Sequence, residues 1–127
     1  AEEDEQASIR QAAVAAHEML AASDALNKKF TDEGLPAFRM GIGIDCGQLV
    51  MGLIGAESKL QQTIIGNIVN HAARLEGLCK MLGSPLIVSK RVWQALSEDE
   101  QAEFADQGKQ VLAGIEKEIG VFALQTH

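Results

Sequence analysis

No apolar run in this sequence exceeds a few residues, so no segment can cross a bilayer as a helix. Basic residues are outnumbered, 11 Lys and Arg against 18 Asp and Glu. The resulting charge of −7 argues against general nucleic-acid binding, which needs a basic footprint to displace counterions. Cysteine is scarce. Cys46 and Cys79 stand 33 positions apart without a partner spacing for zinc, and read as buried or half-buried thiols in a reducing compartment. His17, His71 and His127 share no spacing that suggests a metal site, and each reads as a surface residue. A basic leader with an apolar stretch is missing, as are internal repeats and low-complexity tracts. The chain opens on Ala1 and an acidic cluster without an initiating Met, and reads as a piece of something longer. A cytoplasmic setting is expected, without direct membrane contact, even where a larger parent is membrane-attached.

What is present describes one folded domain over residues 1–127. Apolar residues make up 46% and charged residues 23%, the balance of a chain that can bury a core. From about Ala7 to Phe30, Ile9, Ala13, Ala16, Leu20, Leu26 and Phe30 recur at threes and fours, which predicts a helix stopped by Gly34-Leu35-Pro36. Strand-like runs follow over Phe38–Asp45 and Gln48–Ile54, joined across Cys46-Gly47, where Gly47 is expected to supply any positive φ. Residues 56–62 read as loop and 63–65 as a short extended segment. A second helix is expected from Asn67 to about Leu82, capped by Gly83. A strand at Pro85–Val88 leads to a helix capped by Ser89, and Ser97 opens another acidic helical turn. Two strands, Gln110–Ala113 and Glu118–Gln125, close the chain. The alternation is α/β or α+β.

The chemistry is sought first among the glycines. Gly41, Gly43 and Gly47 have the wrong spacing for a dinucleotide loop and run into a strand, so hairpin glycines packed closely are the better account. No phosphate loop ending in Gly-Lys occurs. On the helix opening at Asn67, a rotation of 100° per residue groups Asn67, Asn70, His71 and Arg74 on one polar face. Ile68, Ala72, Leu75, Cys79 and Leu82 form an apolar stripe beside it, and Glu76 with Lys80 reads as a solvated pair. Arg suits phosphate because its planar fork donates two hydrogen bonds at fixed geometry. Periodicity alone leaves two accounts open, a ligand-facing surface or a capping Asn67 with a surface Arg74, and favours the second.

The stretch Thr63-Ile-Ile-Gly-Asn-Ile-Val-Asn-His-Ala-Ala-Arg-Leu-Glu76 resembles the signature of class III adenylyl and guanylyl cyclases, T-V-x-G-D-x-V-N-x-A-A-R-L-E. The flanks agree in order. Met40–Gly47 and Val50–Gly55 resemble the family hairpin, Ser84–Ser89 the strand after the signature helix, and Leu112–Gly114 with Val121–Leu124 the closing strands. The resemblance implies a ferredoxin-like α+β sandwich with a largely antiparallel sheet. It also implies conversion of a nucleoside triphosphate, ATP favoured, into a cyclic nucleotide and pyrophosphate.

By the same resemblance Asn70 orients the ribose, and Arg74 stabilises the α-phosphate as the 3′-hydroxyl attacks. Asn67 and Lys117 become substrate contacts. Asn67 stands where an aspartate that reads the adenine amino group is expected. Ile115 replaces a phosphate-binding lysine, with Lys117 two positions on and on the same strand face. The family's Mg²⁺ or Mn²⁺ aspartates and a base-reading lysine belong to strands preceding the first helix, and no segment here matches them. Neither Asp32 nor Asp45 is a substitute, so no metal ligand is expected in this chain.

Two functions follow. The chain is either part of a working cyclase, paired with itself or another cyclase domain across a shared site and inactive alone, or a non-catalytic cyclase-homology module that dimerises or regulates. With three sheet strands expected to be missing, including a central one, the stripe of the first helix should be left wet and drive association.

Overall fold

The computed structural model describes residues 2–46, 48–54, 67–111 and 118–125. Its elements are α1 (Glu2–Asp32), β1 (Met40–Asp45), β2 (Gln48–Leu53), α2 (Asn67–Leu82), β3 (Leu86–Ser89), α3 (Lys90–Gln94), α4 (Glu98–Gln101), β4 (Phe104–Val111) and β5 (Glu118–Leu124).

Helix α1 starts earlier than the periodicity suggests. Asp4 and Glu5 lie in its first turn, at the positive end, where acidic side chains favour the helix. At the other end the Leu35 amide donates to the Phe30 carbonyl (2.8 Å), and Gly34 takes φ +79°, a left-handed stop suited to glycine. Asn27 then pins the exit: its Nδ2 donates to the Phe38 carbonyl (2.7 Å) and its Oδ1 accepts from the Phe38 amide (2.8 Å). The strand expected from Phe38 therefore begins at Met40.

The strands form one sheet ordered β2-β1-β3-β5-β4. β1 pairs antiparallel with β2 and parallel with β3, and α2, which lies between β2 and β3 in the chain, packs on one face of β1. β5 pairs antiparallel with both β3 and β4. The pairing of Asp45 with Gln48 leaves a two-residue turn, and Cys46 carries a left-handed φ of 51° in it. A residue with a Cβ thus takes a positive φ in this turn, and Gly47, expected to supply one, lies outside the described residues. β4 begins at Phe104, well before the Gln110 expected. Its Asp106–Lys109 stretch is polar enough to read as a loop. Backbone pairing with β5 nevertheless extends through it, with a register shift between Asp106 and Lys109 where Gly108 takes φ +72°.

The period-2 alternation of each strand divides the core into two layers. Ile42, Ile44, Leu86, Val88 and Phe122 face α1 and α3, where Ile9, Ala12, Ala13, Ala16 and Val92 are buried. Ile87, Val121 and Ala123 face α2, meeting Leu75, Leu78 and Cys79. Trp93 of α3 stacks on Phe122, ring centroids 4.3 Å apart. The expectation of a wet first helix is overturned. Ile9, Ala13 and Ala16 are buried and Leu20 half-buried, because α1 packs over β1 and β2 and shares one buried cluster with side chains of β1, β3 and β5. Leu26 stays exposed, beyond the edge of that contact.

On the other face α2 approaches β1 through glycine. A Cβ on Gly43 would collide with the Ala72 carbonyl and the Glu76 amide, and one on Gly41 would crowd Cys79 Cβ at 3.1 Å. Backbone atoms of a packed helix cannot yield as a side chain does. Gly43→Ala is therefore expected to destabilise the fold by about 3 kcal/mol, the upper part of the overpacking range. Urea unfolding of the two proteins measures it, and an unchanged midpoint would contradict the close approach.

Candidate active site

The approach over Gly43 brings the start of α2 against the end of β1. Asp45, the last residue of β1, is 1% exposed. Ser89 Oγ donates to its Oδ1 at 2.7 Å, and Arg91 Nη2 lies 3.3 and 3.2 Å from its two oxygens. His71 Nδ1 stands 3.2 Å from Oδ2. Facing a carboxylate oxygen, that ring nitrogen is the one that carries the hydrogen. Ser89 also accepts from the Val92 amide (3.4 Å) as N-cap of α3, so one hydroxyl ties the carboxylate to the helix start. A cavity of about 440 Å³ opens beside the group, between His71, Arg91 and the start of β5 at Glu118 and Gly120.

His71 is therefore half-buried and bonded, not the surface residue its isolated position suggests. Asp45, set aside as a strand end, anchors the cluster. Nothing local signals this: Asp45, His71, Ser89 and Arg91 are separated by up to 46 positions.

Of the sequence candidates, Asn67, Asn70 and Arg74 all belong to α2. Arg74 is exposed. The side chains of Asn67 and Asn70 lie outside the described residues, as do Lys117 and Ile115 and the expected 56–62 loop and 63–65 segment. The first turn of α2 holds no acidic residue, so the partial positive charge of its N-terminus is not offset there.

Among the described residues no three His, Cys, Asp or Glu side chains converge to hold a metal ion. Asp45 does not fit the part, since hydrogen-bond donors already occupy both its oxygens. The residues described here therefore do not fit the Mg²⁺ or Mn²⁺ site the resemblance implies.

The chain matches the adenylate and guanylate cyclase catalytic domain over residues 2–126. It belongs to that family. An adenylate cyclase of Anabaena cylindrica is 40% identical over 91 residues, covering 65% of this chain and 18% of that protein. Adenylate cyclase 1 of Rhizobium meliloti is 42% identical over 69 residues, covering 54% and 10%. An uncharacterized protein of Mycobacterium tuberculosis is 37% identical over 86 residues, covering 68% and 16%. The matched part is thus less than a fifth of each of these relatives. The five-stranded sheet with helices on both faces is consistent with the ferredoxin-like α+β fold of the cyclase family.

On the sheet-facing flank of α2, burial pushes the Glu76 carboxyl above its ordinary 4.5. Glu76 is half-buried, not the solvated partner of Lys80 that its i, i+4 spacing suggested. The same effect pushes the Cys79 thiol up to about 12. A raised folded-state value for Glu76 means that folding favours the protonated acid. Its contribution is full below the ordinary value of 4.5 and is lost as the pH rises through the folded-state value. Glu76→Gln, which is never charged, is expected to raise the thermal midpoint at pH 7. The gain should vanish below the ordinary value of 4.5. Melts across that pH range check both signs.

Proposed function

We propose that this cyclase-family chain supplies the ribose- and phosphate-contacting half of a site that converts ATP to 3′,5′-cyclic AMP and pyrophosphate. The observation that carries this is the placement of Asn70 and Arg74 one turn apart on α2, held against β1 at Gly43. That two relatives are named adenylate cyclases supports reading the substrate as ATP over GTP.

In the reaction the ribose 3′-oxygen forms a bond to the α-phosphorus and loses its proton. The α-phosphorus bond to the pyrophosphate oxygen breaks. Such a transfer needs positioning and positive charge on the equatorial oxygens more than covalent chemistry from protein. Arg74, exposed on α2, brings a guanidinium fork for those oxygens, and Asn70 orients the ribose. Substrate contacts from Asn67 and Lys117 rest on the resemblance alone. The carboxylates for Mg²⁺ or Mn²⁺ come from another segment of the parent or from a second cyclase domain, most simply another copy of the same protein. The proposed setting is cytoplasmic.

A non-catalytic dimerising or regulatory module is the second reading, favoured by the missing metal-ligand cluster among the described residues. Two measurements separate them. The 127-residue chain alone, with ATP or GTP and Mn²⁺, is expected to make no detectable cyclic nucleotide, and clear turnover would contradict the donor-set argument. In the complete protein, Arg74→Ala is expected to lower kcat by about 10²–10³ with little change in KM, the usual cost of losing a donor aimed at developing charge. Equal losses in binding and turnover would give Arg74 a ground-state role. A complete protein without turnover would leave the regulatory module.

A further inference from the structure

The first buried apolar residue described on α2 is Ala72, and the stripe then continues through Leu75, Leu78 and Cys79. That packing holds the middle and end of the helix. Apolar contact is non-directional and constrains rotation about the helix axis less sharply than a directional bond does. A hydrogen bond to a fixed acceptor is directional. His71 provides one, directly after Asn70 and three residues before Arg74, and its acceptor is immobilised from three sides. β1 carries Asp45 itself, Ser89 binds it at the end of β3, and Arg91 reaches it from α3.

We infer that His71 is a positioning residue: latched to Asp45, it adds a directional restraint to the approach at Gly43 and so sharpens the rotation of the first two turns of α2 and the direction of Asn70 and Arg74. The inference rests on the cyclase reading for its catalytic consequence, but the latch itself does not. Losing the bond at His71 leaves Asp45 its Ser89 and Arg91 partners, so the carboxylate is not orphaned and the fold survives. The cavity beside the ring gives a shorter side chain room. Displacing a positioned group by about 1 Å costs on the order of 10²-fold in rate, which sets the scale of the effect.

The experiment compares His71→Leu, which removes the donor, with His71→Asn, whose Nδ2 can take the place of the ring Nδ1, in the complete protein. For His71→Leu, kcat should fall by about 10- to 100-fold with KM within about twofold. Amide hydrogen exchange over residues 67–74 should accelerate while the thermal midpoint changes little. His71→Asn should restore slow exchange and bring kcat within about threefold of the unsubstituted protein. Unchanged exchange and kcat in His71→Leu, or a His71→Asn protein as impaired as His71→Leu, would overturn the inference. If the unsubstituted protein makes no cyclic nucleotide, the functional reading fails, and the exchange comparison alone decides the latch.

Discussion

The contact between α2 and β1 is a backbone-to-backbone approach, and the rest of the molecule is arranged around it. Gly43 presents no Cβ, so the Ala72 carbonyl and Glu76 amide pass directly over the strand. At that distance Cys79 Sγ reaches the Ile42 carbonyl (3.5 Å) and His71 reaches Asp45. A strand with side chains at Gly41 and Gly43 would hold the helix further out, beyond hydrogen-bond reach of Asp45. Two glycines thus join the packing of the fold to the geometry of the polar cluster.

The opposite face of the sheet obeys a simpler rule. Strict alternation along β1, β3 and β5 sends every second apolar residue toward α1 and α3, and the small Ala12, Ala13 and Ala16 let the long helix lie close. The apolar stripe of α1 is covered by this chain's own strands. Association through a cyclase-type pairing must therefore rest on other surfaces than that stripe.

Electrostatically the site is divided. Asp45 is buried, and Ser89, Arg91 and His71 satisfy it, so its charge serves structure and is not offered to a metal ion. Arg74 lies outside this network on the exposed side of α2, where an anionic ligand can meet it. One helix end thus separates an internal ion pair from an external cation within a single turn.

Helix α2 with its Gly83 stop, the β1–β2 hairpin and the cyclase resemblance were legible from residues 39–89, because glycine spacing, apolar periodicity and a signature motif are local properties. The early start of α1 and the length of β4 were not. Favourable charge at a helix end extended the first, and backbone pairing with β5 carried polar residues into the second. Asn70 and Arg74 could be named from the motif, and their placement on one helix follows from its period. The Asp45–His71–Ser89–Arg91 cluster was decided by tertiary structure alone. Its members come from β1, α2, β3 and α3, each unremarkable in its own segment. A carboxylate becomes an anchor only when burial removes its water and the fold delivers three donors in exchange.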